Sequence, residues 1–434
     1  MIPLFNSTSE QGKERLNQIL NRRFEIDQTL EEKVKDILKQ VEARGDEALI
    51  EYTHQFDSPA ITLNNLKVEK GEIEKAYEQV SEKFLKALHK AQKNIETFHK
   101  LQLPKSWFMD KEDGTILGQR VTPVDGAGLY VPGGQGGKTP LVSSVLMNGI
   151  PAKIAGVERI VLVTPPSADA TISPHLLVAA NEIGITEIYK VGSAWAIAAL
   201  TYGTDSIKPV DVIVGPGNIF VTIAKKLVSG RVGIDMVAGP SEIVIIADET
   251  AQPSFVAADL LSQAEHDPMA TTILLTTSER VAKDVASELE KQLKSLSRAD
   301  IAQQSLLSNG LLMVVKDLDE AAHVANLLGP EHLELMVKDP WQLMPKIKHA
   351  GALFLGDYTP EPIGDYIAGP NHVLPTMGTA RFSSALSVET FLKRTSIISY
   401  SQNAFYEDAD DVMLLAETEG LSAHANSIAV RQNS

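Results

Sequence analysis

From Val121 onward the chain repeats one pattern, a short apolar run followed by a stretch of helical spacing and then another apolar run. Nine runs predict strands, at 128–131, 160–164, 188–191, 212–214, 243–247, 272–275, 311–315, 333–337 and 352–355. Near-continuous apolar strands separated by amphipathic helices imply parallel sheets covered by helices on both faces. Nine strands exceed one compact sheet of ordinary size, so the pattern predicts two α/β units. The expected division inserts 129–237 into a unit built from 25–128 and 238–380, with 1–24 as a helical lead and 381–434 as a tail. Residues 8–55 read as helices, with Asp27 and Thr29 as caps and Leu30, Val34, Ile37 and Leu38 on one face. A longer helix follows Ser81, where Phe84, Leu88, Ala91, Ile95 and Phe98 recur at alternating steps of four and three. Within the tail, a helix through Val388 to Leu392, a strand-like Ser396 to Ser401 and an acidic helix from Glu407 are expected.

Composition restricts the chemistry. The net charge of −16 repels a polyphosphate backbone, so nucleic acid is not an expected partner. No run of eighteen apolar residues occurs, and the first residues lack the basic start and apolar stretch of a signal peptide. A cytoplasmic protein outside the membrane is the expectation. There is no cysteine, which excludes disulfides, thiolate metal sites and a covalent thiohemiacetal.

Five segments carry polar groups suited to chemistry. Gln263 and His266 stand three apart just before Pro268 and are expected on one helical face, where an amide oxygen and an imidazole can bind a borderline metal. A solvated helix end explains the same pair. Glu331 and His332 lie between a helix ending at Gly329 and a strand starting near Leu333, and offer a carboxylate and an imidazole for general-base work. Adjacent extended residues point to opposite faces, so one shared site needs a local turn there. Asp365 and His372 sit in a proline-bounded loop after a strand, and Ser241 lies in the turn 239–242. The turn 214–218 follows an apolar strand, where open parallel sheets bind ligands. His54, His89, His99, His175, His323 and His349 lack such polar company and read as surface or structural residues.

The stretch 130–139 nearly matches a P-loop, with Gly137, Lys138 and Thr139 in place. Pro132 stands where the first glycine belongs, removing a backbone donor and fixing φ. No G-x-G-x-x-G joins a strand to a helix.

Taken jointly, the blocks resemble the histidinol dehydrogenase family. They are G-L-Y-V-P-G-G at 128–134, S-S-V-L-M-N at 143–148, V-G-P-G-N at 214–218, A-G-P-S-E at 238–242 and S-Q-A-E-H at 262–266. G-P-E-H-L at 329–333, G-D-Y at 364–366, N-H-V-L-P-T at 371–376 and E-G-L-x-A-H at 419–424 complete the set in order. The resemblance implies a homodimer of aldehyde-dehydrogenase-like topology that oxidises L-histidinol to L-histidine with two NAD. It implies one zinc per subunit, held by Gln263, His266, Asp365 and the partner subunit's His424. Ser241, His332, His372 and Glu419 then match the family's substrate contacts, with the metal ligands themselves also facing the substrate. His332 is the implied acceptor of the hydroxyl proton, and Glu331 the implied activator of water.

Tyr130 and Asn218 match positions that the family associates with NAD. Trp195 departs from the family, which usually carries glutamine there, and an indole can stack on a cofactor where an amide would hydrogen-bond. The loop from Gln135 to Val142 is a few residues longer than usual. Three other readings stay open at this point: a P-loop NTPase, a dehydrogenase of the same fold for another small alcohol, and a noncatalytic dimer clamped by zinc.

Overall fold

The computed structural model describes residues 3–21, 27–133 and 140–432, so Gly137, Lys138 and Thr139 of the P-loop lookalike lie outside the described residues. In chain order the strands are β1 Leu4–Asn6, β2 Trp107–Asp110, β3 Ile116–Pro123, β4 Gly126–Tyr130, β5 Arg159–Thr164, β6 Glu187–Lys190 and β7 Val212–Val214. They continue with β8 Gly233–Ile234, β9 Glu242–Ala247, β10 Thr271–Thr276, β11 Leu311–Val314, β12 His332–Met336, β13 Ala352–Leu355 and β14 Leu392–Ser399. All nine runs expected to be strands are strands.

The chain forms two compact units, the larger from Met1–Gln102 with Asp125–Phe391 and the smaller from Leu103–Val124 with Leu392–Ser434. The larger contains two parallel sheets. One has six strands in the order β1-β11-β10-β9-β12-β13, the other five in the order β6-β5-β4-β7-β8. Every residue of β9 and β10 is buried, as strands covered on both faces require. The five-stranded sheet starts at its centre with β4, and its strand order reverses between β4 and β7. Gly128 in β4 is a packing requirement, because an added Cβ would lie 2.8 Å from Leu200 Cδ1 on the covering helix Ser193–Tyr202.

β1 was not foreseen. It is three residues long and mostly exposed, and it exists through its parallel pairing with β11, Leu4 opposite Leu312. The helices expected over 8–55 are Glu10–Leu20, Gln28–Arg44 and Asp46–Phe56. In the helix Glu82–Lys100 the buried stripe is Leu88, Ala91, Ile95 and His99, while Phe98 turns outward. His99 donates from Nδ1 to the Ile95 carbonyl at 2.9 Å, and burial lowers its pKa. It is a satisfied core histidine.

The smaller unit is an antiparallel sheet in the order β14-β3-β2, together with the paired helices Gln402–Thr418 and Ser422–Gln432. β14 runs along all of β3, from Leu392 opposite Pro123 to Ser399 opposite Ile116. Among the described residues no helix is long and apolar enough to cross a membrane.

Ile245 lies at the middle of β9, fully buried against the helix Pro253–Ala264 and its neighbours. Ile245→Ala should cost about 2–5 kcal/mol through the cavity it leaves. Denaturant titration should show an earlier midpoint while the far-ultraviolet circular dichroism of the native protein stays the same.

Candidate active site

A cavity of about 280 Å³ in the larger unit is lined by Ser241, Gln263, His266, Glu331, His332, Asp365 and His372, seven of the residues singled out from sequence. The six-stranded sheet presents Ser241, Glu331 and His332 at the amino ends of its strands. Ser241 immediately precedes β9, Glu331 precedes β12, and His332 is the first residue of β12. Gln263 stands in the last turn of the helix Pro253–Ala264, which returns the chain to that edge. His266 lies past the helix end, in a turn whose His266 N–H donates to the Gln263 carbonyl at 3.2 Å. The pair is therefore delivered by a helix terminus and its following turn, not by one helical face.

Glu331 and His332 share the site because the chain bends before it enters the strand. Gly329 ends the preceding helix in the left-handed region, with φ +57, and Glu331 occupies a bend outside β12. Both side chains then reach one residue of β9. Glu331 Oε2 accepts from the Glu242 N–H at 3.0 Å, and His332 Nδ1 donates to the Glu242 carbonyl at 3.0 Å. Nδ1 carries the proton, so Nε2 is left as an acceptor, and it has no hydrogen-bond partner among the described residues. Burial pushes the His332 pKa down to about 4, which keeps the ring neutral. Burial raises the Glu331 carboxyl well above its usual range, against the bond from Glu242.

Asp365 stands on the π-helical turn Gly364–Ala368, and burial with the nearby Glu361 raises it to about 8. His372 is half-buried, and desolvation foremost pushes its pKa down to about 4. Its carrier loop is fastened by Asn371, which donates to the Met147 carbonyl at 2.6 Å and accepts the Val373 N–H at 2.9 Å.

Glu361 was missed in the sequence. Pro360 and Pro362 disguise a single helical turn that places it four residues before Asp365. Its Oε1 lies 3.9 Å from His332 Nε2, and Ser262 Oγ donates to its Oε2 at 3.0 Å. His332, Glu361 and Asp365 each offer a ligand atom within 4.8 Å of the others. His266 is outside that trio. Gln263 is fully buried, with neither Oε1 nor Nε2 paired among the described residues. An unpaired buried amide is costly unless a further group engages it. Amide oxygen, imidazole and carboxylate together fit a zinc ion.

Five other expected residues lie outside this lining. Tyr130 is buried at the end of β4, and its hydroxyl accepts the Ser193 N–H at 3.2 Å. Trp195 is 4% exposed and stacks on Phe56 and Tyr52 at centroid distances of 5.5 and 5.9 Å. Asn218 caps the helix Ile219–Val228, its side-chain oxygen accepting from the Phe220 and Val221 N–H groups. Glu419 and His424 belong to the smaller unit, Glu419 at the end of the helix Gln402–Thr418 and His424 on the helix Ser422–Gln432.

Behind the cavity, Glu334 on β12 accepts the Glu361 N–H at 2.9 Å and faces Asp259. Burial foremost, then the Asp259 charge, raises Glu334 well above the ordinary carboxyl range. The folded state therefore keeps a proton that the unfolded chain releases above about pH 4.5, and stability falls as pH rises through that window. Glu334→Gln keeps the shape and removes the titration, so its stability relative to the parent should grow from pH 5 to pH 8. Denaturation curves of chelator-treated protein at the two pH values check this, and an equal difference at both would contradict it.

The family model described as histidinol dehydrogenase matches residues 20–432. The chain is 60% identical over 424 residues to histidinol dehydrogenase of Desulfotalea psychrophila, covering 98% of each chain. It is 57% identical over 418 residues to that of Nitratidesulfovibrio vulgaris, covering 96% of each. A crystal structure of histidinol dehydrogenase from Elizabethkingia anophelis superposes with a TM-score of 0.93 at 37% identity, covering 100% of this chain and 98% of that one.

Proposed function

The chain belongs to the histidinol dehydrogenase family, and from that premise we propose how its residues divide the oxidation of L-histidinol to L-histidine. It is an NAD-dependent oxidoreductase of histidine biosynthesis, and the proposal places it in the cytoplasm as a homodimer. The observation that carries the proposal is His332 Nε2, left without a proton by the Nδ1 bond and without a hydrogen-bond partner among the described residues, on a side chain that lines the cavity beside Glu331.

Alcohol to acid requires the loss of two hydrides, both to NAD, with water added to the aldehyde between them. His332 Nε2 accepts the hydroxyl proton as the first hydride leaves. Glu331 takes a proton from the water that attacks the aldehyde, and its buried carboxylate is a stronger base than a solvated one. With no cysteine in the chain, base-assisted hydration replaces the thiohemiacetal route. Ser241, His372 and Glu419 contact and orient the substrate, and their hold on it keeps the aldehyde in the cavity until it is hydrated.

Gln263, His266, Asp365 and the partner subunit's His424 would hold a zinc ion, with Glu361 beside them. When bound, zinc supplies positive charge that fixes the substrate's amino and imidazole nitrogens. The region 129–237, with Tyr130, Trp195 and Asn218, is the proposed NAD-associated part. Tyr130 and Asn218 act there by shaping the carboxyl edge of the five-stranded sheet, and Trp195 by stiffening it from within through its stack on Phe56 and Tyr52.

Purified protein mixed with NAD and L-histidinol should form about two NADH per alcohol, a yield set by the two hydride transfers, and a chelator should abolish turnover. Glu331→Gln should slow it by about 10²–10⁴-fold. No NADH from the parent would sink the reading. The shared site is tested separately by mixing chains carrying Glu331→Gln with chains carrying His424→Asn after subunit exchange. Each variant alone should be inactive and the mixture should regain activity. A mixture as inactive as its components would show that the tail serves its own subunit.

A further inference from the structure

Gly215 opens the turn Gly215-Pro216-Gly217 at the end of β7, and this turn lines the same cavity as Glu331 and His332. Gly215 has φ +114, and an added Cβ would fall 2.1 Å from the Tyr130 carbonyl oxygen, so the turn lies directly on the end of β4. Both of its main-chain polar groups are taken by one ion pair. The Gly215 N–H donates to Asp235 Oδ2 at 2.8 Å, and the Gly215 carbonyl accepts from Lys225 Nζ at 2.9 Å. Asp235 Oδ1 pairs with Lys225 Nζ and accepts the Met236 N–H at 2.7 Å. The two side chains are 3% and 1% exposed.

A buried ion pair adds little net stability compared with apolar residues of the same size, and its better-attested effect is to select one arrangement. Here it ties four pieces together. Lys225 lies on the helix Ile219–Val228 that Asn218 caps, and Asp235 follows β8 and donates its N–H to Ile213 of β7. The clamped turn sits between β4 and β7, where the strand order reverses and where an open parallel sheet receives its ligand. Tyr130 and Asn218 flank it on either side.

We propose that the Lys225–Asp235 pair is a positioning device for the dinucleotide, setting the turn against which its reacting end lies in the cavity shared with His332. Neither side chain takes part in the chemistry. The pair acts through Gly215, and the inference rests on the reading of the protein as an NAD-linked histidinol dehydrogenase.

The test compares the parent with the double variant Lys225→Met/Asp235→Leu, which removes the clamp without stranding a buried charge, and with the single variant Asp235→Asn. Melting midpoint, the KM values for NAD and L-histidinol, and direct titration with NAD followed by protein fluorescence are measured. The double variant should melt close to the parent, with the KM for NAD and the titrated Kd raised roughly ten-fold or more and the KM for L-histidinol within about two-fold. A purely structural pair would lower the melting midpoint and spare the NAD constants in whatever folds. A folded double variant with parental NAD constants overturns the proposal; should it not fold, parental NAD constants in Asp235→Asn do so. A parent that binds NAD but leaves L-histidinol untouched defeats the substrate reading alone, whereas a parent that binds no NAD defeats the clamp as well.

Discussion

Two hydrogen bonds to a single residue of β9 set the geometry of the proposed catalytic pair. The Glu242 N–H holds Glu331 and the Glu242 carbonyl holds His332, just where β12 joins the sheet with His332 opposite Ile243. The side chains extend the ladder by one step beyond the strand. Their positions therefore inherit the register of a buried parallel sheet, which moves far less than a surface loop would. The same two bonds fix chemical state as well as place. Donation from Nδ1 leaves Nε2 as the open acceptor, and the N–H bond gives the buried Glu331 carboxylate partial compensation when it ionises.

That arrangement concentrates acid in a place that disfavours it. Glu331, Glu361 and Asp365 crowd one side of the cavity, each with its pKa raised by burial, and Asp365 is raised further by Glu361. Burial and mutual repulsion act in the same direction, so each group favours holding its proton. A cation held by Gln263, Glu361 and Asp365 would act against burial and favour the ionised carboxylates beside it, and a substrate carrying an amino group would add to that effect. Positive charge in the cavity would thus couple the charge state of these carboxylates to binding.

The strands were legible because a parallel strand buried on both faces must be apolar throughout, and nine segments met that demand. β2, with all four residues exposed, did not, and β3 is only partly buried. Their pairing partner β14 lies far along the chain, where no local pattern can announce it. Among site residues, Gln263, Glu331, His332 and Asp365 were each ambiguous alone and became readable only as an ordered set. The bend that brings Glu331 and His332 to the same side needs Gly329, which was visible, and Glu242, whose role is played by its main chain and so has no residue-type signal. Glu361 hid between prolines. Lys225 and Lys226 are neighbours with identical side chains, one buried and one exposed, and only the position of Asp235 after β8 separates them.

The two sheets meet the cavity from opposite ends of their strands. The five-stranded sheet presents the carboxyl end of β7 through Gly215 to Gly217, and the six-stranded sheet presents the amino ends of β9 and β12. The chain crosses from one to the other in the short segment from Asp235 to Ser241, most of which lines the cavity. Asp235 anchors its start through Lys225 and Gly215. Its far end is tied by the Gly239 N–H, which donates to Thr376 Oγ1 at 2.7 Å, and by Glu242, whose carboxylate accepts the Met377 N–H at 3.1 Å. A segment held at both ends transmits distance between its anchors. The seven residues from Asp235 to Ser241 thus link the turn at the switch point to the strand whose main chain holds Glu331 and His332. In the proposed reaction hydride transfer would depend steeply on the distance between these two parts, and a connection anchored at both ends along the wall of the cavity helps to hold it.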